Sequence, residues 1–300
     1  MLGGMGRLAL IALLWIGLAE GASAQQASST PQDILKSLNF RRGPVTLGDN
    51  LATVGQSEDY AFLDSADAQT FLTKIWGNPP EASRGTLGML LPIHSNPLSA
   101  EGWGVVISYE ASGYVSDEDA EKIDYPKLLQ EMQESIRETS KERVASGYQP
   151  YELVGWARAP YYDKVSKKLH WAKHLRFGTS PDDTLNYEIR VLGRQGVMSL
   201  NVVADLKQFA QIDRAAPALL SLVSFNPGNL YSEFNPSVDK VATYGLAGLI
   251  AGGLLTKAGF FKGLIALLLA SKKLLFIGLA ATVAGAWSGI KALVRRRRSA

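Results

Sequence analysis

The chain contains no cysteine, which excludes disulfides, thiolate metal sites, a cysteine nucleophile and a lipid anchor on cysteine. Histidine is scarce, with three residues in 300, so imidazole chemistry has few places to reside. No Gly-x-Ser-x-Gly elbow, Gly-x-x-x-x-Gly-Lys-[Ser/Thr] phosphate loop or Gly-x-Gly-x-x-Gly turn occurs. Acidic residues are absent from the last 44 positions, which hold nine basic ones: Lys257, Lys262, Lys272, Lys273, Lys291, Arg295, Arg296, Arg297 and Arg298. The formal charge of +3 therefore averages unlike parts, because residues 25–256 carry 21 basic and 27 acidic groups, a balance of −6. Phosphate contacts need a dense basic face, so the body is not expected to bind nucleic acid.

What is present speaks first to location. Arg7, the apolar run Leu8 to Leu18 and the small residues Ala22-Ser23-Ala24 read as a secretory signal peptide over 1–24, with an uncleaved anchor as the alternative. Near the other end, Leu274 to Val294 is interrupted only by Lys291, giving roughly 31 Å of helix, enough to cross a bilayer. The basic tail 295–300, with Arg295, Arg296, Arg297 and Arg298, favours the cytoplasmic side, while Lys272 and Lys273 mark the outer interface. Residues 238–273 include the 16-residue apolar stretch Val241 to Thr256, which is marginal for a span and is expected to form an interfacial or hairpin segment. Small residues there, Gly248 and Gly252 among them, suit close helix approach and self-association in the membrane; a flexible apolar tether is the other reading.

The exported body is expected over 43–237, after a flexible lead-in over 25–42 with a short helix at 31–38. Val45 to Leu47 and Leu51 to Val54 flank Gly48-Asp49-Asn50, a hairpin turn. Asp64 or Ser65 begins a helix running to about Trp76, and Thr86 to Ile93 and Trp103 to Glu110 read as strands. The clearest helix starts after Asp124, with Leu128, Met132, Ile136 and Val144 on its inner face. A strand from Tyr151 is expected to break at Pro160; a further strand covers Leu169 to Phe177, and Asn186 to Leu192 pairs with Val197 to Val203. A last helix is expected from about Asp205, breaking near Pro217. The fold class is α+β: a mainly antiparallel sheet with a few helices packed on one face, plus the C-terminal transmembrane helix.

Candidate chemistry is thin. His170 and His174 form a His-x-x-x-His pair, but Trp171 stands where zinc peptidases place a glutamate, and on a strand the rings would lie roughly 13 Å apart. Ser116 to Asp124 is dense in oxygen ligands, Asp117 and Asp119 included, yet lacks the glycine and late glutamate of a calcium loop. A solvated acidic turn is the better reading, and no cofactor is expected. His94 has no assignable partner, and a Ser-His-Asp triad is not selected by anything in the sequence.

Several short runs then combine: Ser112-Gly113-Tyr114-Val115, Gly155-Trp156, Leu169-His170-Trp171-Ala172, Asn186-Tyr187, Leu192-Gly193-Arg194-Gln195-Gly196-Val197-Met198-Ser199 and Tyr244-Gly245-Leu246-Ala247. In order and spacing the chain resembles the bacterial membrane-anchored proteins catalogued as domain of unknown function 2167, over nearly all of its mature length. The resemblance implies an exported domain, a C-terminal anchor in the bacterial inner membrane with the body on the periplasmic side, and no catalytic residues to carry over. The glycine-flanked turn at Arg194 is then a structural hairpin or a contact surface. The expected function is a non-enzymatic envelope interaction module, its partners the lipid bilayer and a membrane or envelope protein. A membrane-tethered hydrolase or metal-binding enzyme using His94, His170, His174 or the Asp117 cluster is the alternative, and a multi-span channel component a weaker third.

Overall fold

The computed structural model describes residues 30–78, 80–99, 101–145 and 149–252. The expected signal peptide at 1–24, the expected span at 274–294 and the basic tail 295–300 lie outside them. Among the described residues no helix is long and apolar enough to cross a membrane.

The centre is a seven-stranded antiparallel sheet in the order β3 (Tyr60–Asp64), β4 (Thr86–Pro92), β5 (Val105–Glu110), β9 (Val197–Asp205), β8 (Thr184–Leu192), β7 (Lys168–Phe177) and β6 (Tyr151–Asp163). A second sheet joins the hairpin β1 (Val45–Leu47) and β2 (Ala52–Val54) to β10 (Val223–Phe225). The hairpin turn uses Gly48 and Asn50 at positive φ, as its composition requires.

Strand alternation decides what covers each face. Leu185, Tyr187 and Ile189 of β8, with Val105, Ile107, Leu200 and Val202, pack on helix α4 (Phe209–Leu222) through Ile212, Ala216 and Leu219, and on the small sheet. On the opposite face Leu169, Trp171 and Leu175 meet Leu128, Met132 and Ile136 of α3 (Tyr125–Ala145), while Met89, Leu91 and Val106 meet α2 (Ser65–Thr70) and the π-turn Phe71–Ile75 that continues it. Helices therefore cover both faces rather than one, which makes the middle strands buried on both sides. Each buried Leu or Ile there contributes about 1.5–3 kcal/mol.

Local departures from the sequence reading have identifiable causes. The short helix expected at 31–38 is present as α1 (Pro31–Ser37), capped by Thr30; what departs from a flexible lead-in is that Leu38, just after it, is buried in the core. Asp64 caps α2 and Asp124 accepts from the amide of Lys127 at the start of α3, as expected. Within α3, however, Val144 is 51% exposed, and Ser140 is buried instead because its hydroxyl accepts from the amide of Tyr151. Strand β6 does not stop at Pro160: it runs on through three register shifts, and the proline sits in the last of them. An edge strand tolerates this, since a residue without an N–H deletes no ladder bond at a bulge. Likewise α4 passes through Pro217 to Leu222.

The chain ends its described course as a strap. After β10, Val241 bridges Tyr114 in parallel, and α5 (Leu246–Ala251) buries Leu246, Leu249 and Ile250 beside α3. The first part of the stretch expected as interfacial is thus built into the domain core.

Candidate functional site

Strand β7 and its neighbour β8 carry polar side chains on both faces of the sheet, and these form the two constellations that chemistry could use.

On the α4 side, His170 Nδ1 lies 2.9 Å from the hydroxyl of Tyr187, and that hydroxyl donates to Asp213 of α4 at 3.3 Å. Asp213 also accepts two hydrogen bonds from the guanidinium of Arg158 on β6, a bidentate pair that raises the Arg158 pKa. Tyr161 meets the His170 ring edge-on at 5.5 Å. With Tyr187 donating to Asp213, the imidazole is assigned the tautomer that donates from Nδ1, leaving Nε2 with its lone pair. Burial, then the charge of Arg158, push His170 below its ordinary pKa against the opposing carboxylate of Asp213. Burial pushes the Tyr187 phenol well up. The imidazole is therefore biased toward its neutral form and hydrogen-bonded to Tyr187.

On the α3 side, Asn186, Glu188 and Arg190 alternate with the apolar residues of β8, next to Lys173 on β7 and Asn201 on β9. All five are more than nine-tenths buried. Glu188 is 3.6 Å from Lys173 and 2.8 Å from Arg190, and the Arg190 guanidinium lies over the Trp171 ring. Burial lowers the Lys173 pKa, with Glu188 opposing. Glu110 of β5 continues the strip; burial raises its pKa and the hydrogen bond from Tyr244 opposes that. The ionic pairs are close, but the Glu188 oxygens and Arg190 Nε lack well-aligned hydrogen-bond partners.

The residues singled out from sequence are placed apart. His174 is on β7 with His170 but pairs with Asp183 at 2.5 Å, and His94 lies in a turn beyond β4. Asp117 accepts from Tyr162, Lys167 and Tyr231 at 2.6, 2.8 and 3.0 Å; burial opposes ionisation, and these bonds outweigh it, so its pKa falls. Asp119 caps α5 through the amides of Leu246 and Ala247. The two aspartates are occupied in holding loops together, and no group of three or more metal-ligating side chains occurs among the described residues. Arg194 donates to Asp239 at 2.7 Å and to the carbonyl of Gly228; this clamp holds the Asp239 pKa down to about 2. Gly248 faces its own chain, since a Cβ there would come within 2.7 Å of Tyr244, and Gly252 ends α5 at φ +64°. Lys272, Lys273 and Arg295 to Arg298 lie outside the described residues.

Sequence reading missed Arg158, Asp213, Lys173 and Glu188. A signal existed for the last: Glu188 and Arg190 occupy alternate positions in the otherwise apolar run Leu185 to Leu192, where the structure buries both faces.

With this geometry in place, comparison with known proteins is informative about family. The chain belongs to the family described as protein of unknown function (DUF2167), whose model matches residues 39–283, in agreement with the motif resemblance. No curated protein matches the chain. Among solved structures it is similar to the cyanobacterial PsbP protein (CyanoP) from Synechocystis sp. PCC 6803, known in solution, at 8% identity over 63% of this chain and 94% of that one, with a TM-score of 0.35.

Proposed function

We propose that this DUF2167 member is an exported, membrane-tethered interaction module, its α+β domain held at the outer face of a bacterial inner membrane by the apolar C-terminal run. The observation that supports the reading is the strap leading into that run. Tyr114 donates its amide to Lys240 and accepts from Ala242, each at 2.8 Å. The Tyr244 hydroxyl donates to Glu110 at 3.0 Å, and Asp119 caps α5. A domain on a loose tether needs none of these bonds. A domain that must present one surface to a partner in or near the bilayer gains from all of them, because a fixed pose lowers the entropy lost on binding.

The test is crosslinking and pull-down of the full-length protein from its own membranes, beside a version ending at Gly252, with mass spectrometry of what is retained. A specific partner captured by the full chain and lost with the tail supports the reading. Recovery of the full chain in the soluble fraction overturns it.

A tethered hydrolase is the second reading, favoured by one observation: the fixed tautomer of His170 leaves Nε2 as a base. Turnover of ester or phosphoester substrates that disappears in His170→Asn, with folding intact, would support this reading over the first.

A further inference from the structure

At the end of the sheet opposite the strap, the last turns of α3 face the start of β6 and the end of β7 across an open concavity of 590 Å³, a volume typical of small-ligand sites, which run about 300–1,000 Å³. Arg137, Ser140, Lys141 and Val144 recur at helical spacing and line one wall. The floor is apolar: Pro150, and Tyr151, whose ring stacks on Phe177 at 5.6 Å. Val144, which left the core that its sequence pattern predicted, reaches into this space while 51% exposed.

The charges around the floor are unequal. Among the described lining residues three are cationic, Arg137, Lys141 and Arg176, against one carboxylate, Glu152. Arg176 is committed to Glu152 and Asp183, and Lys141 to Glu138 at 2.8 Å. Arg137 has no acidic partner among the described residues. An inorganic anion here would satisfy Arg137 and leave Val144, 51% exposed, in water. A neutral hydrocarbon would cover Val144 and gain nothing from the cation.

We propose that this concavity binds a small organic anion, a carboxylate or sulfonate on an aromatic or short alkyl body. The anionic group pairs with Arg137, and the body lies on the exposed Val144 and Pro150. The proposal is independent of how the chain is tethered, since every residue it uses lies in the described part of the domain.

Saturation-transfer NMR with naphthalene-2-carboxylate on the full chain in phosphatidylcholine nanodiscs tests it, with empty nanodiscs subtracted. Saturable binding is expected, weakened about fivefold in Arg137→Gln and by 0.5 M salt, as loss or screening of a surface ion pair dictates. Val144→Gln should weaken it too, Lys36→Gln on distant α1 should not, and inorganic phosphate, which meets only Arg137, should compete far more weakly than a second aromatic carboxylate. Both test positions are exposed, and unchanged thermal unfolding verifies the fold. Absence of saturable binding, or equal signals from all variants, which is partition into lipid only, overturns the proposal.

Discussion

Glu188 and Arg190, two positions apart on β8, project from the same face of the sheet and meet at 2.8 Å, with side-chain exposures of 1% and 8%. Lys173 reaches the same carboxylate from β7 at 3.6 Å. A sheet core rarely accepts such a group, because taking ions out of water costs several kcal/mol each before their mutual attraction offsets it. The cluster lies where the apolar patch under α3 adjoins the patch under α2.

Removing the anion should therefore be worse than removing the cluster. Glu188→Gln leaves Lys173 and Arg190 buried without their counter-charge and is expected to cost about 3–5 kcal/mol. The combined change Lys173→Met, Glu188→Leu and Arg190→Met should be close to neutral. Equilibrium denaturation of the full chain measures both; a Glu188→Gln loss under 1 kcal/mol would show that solvent reaches the strip.

Asp119 predicts a local effect instead. Its carboxylate accepts from the amides of Leu246 and Ala247 at 3.1 and 3.2 Å, and loss of a cap costs about 1 kcal/mol. Asp119→Ala should therefore accelerate amide exchange across 245–252 while leaving β7 and β8 protected. Uniform acceleration everywhere would mean that the strap does not open separately from the domain.

Much of this architecture was legible beforehand because local chemistry and tertiary packing agree. The Gly48-Asp49-Asn50 hairpin, the Asp64 and Asp124 caps and the β8–β9 hairpin each follow from residues a few positions apart. The failures share a cause: they depend on partners far along the chain. Whether Pro160 breaks a strand depends on β6 lying at a sheet edge, and whether Val144 is core depends on Ser140 meeting Tyr151. The candidate sites were harder still. Asp213 lies 55 positions from Arg158, and no local pattern announces that they meet across α4 and β6, whereas the His170–His174 spacing drew the eye to two imidazoles with different partners.

The turn after β8 illustrates a constraint that composition did suggest. A Cβ on Gly196 would lie 2.1 Å from the carbonyl oxygen of Glu110 and 2.7 Å from the Tyr109 hydroxyl, and backbone cannot step aside as a side chain can. Gly196→Ala is expected to cost at least about 1–3 kcal/mol through the forced shift of β5 against β9. Thermal unfolding measures it, and a melting temperature within 1 °C of the parent's (about 0.3–0.5 kcal/mol for a domain this size) would contradict the packing described.

The pH response of the domain should carry the mark of His170. The ring is faced by Arg158, Asp213, Tyr187 and Tyr161, and burial and Arg158 together hold its folded pKa below the ordinary value of 6.5. A lowered folded pKa means that the unfolded chain takes up the proton first as pH falls. The stabilisation from the neutral ring is therefore complete above about pH 6.5 and is lost on acidification from there to the folded pKa, with a slope of at most about 1.4 kcal/mol per pH unit. Below the folded pKa both states are protonated and this contribution levels off. His170→Asn keeps a polar side chain beside Tyr187 but cannot titrate, so its unfolding free energy between pH 7.5 and 5 should fall less steeply than that of the parent. Parallel profiles for the two proteins would show that His170 is as protonated folded as unfolded, and that burial and Arg158 together do not lower its pKa.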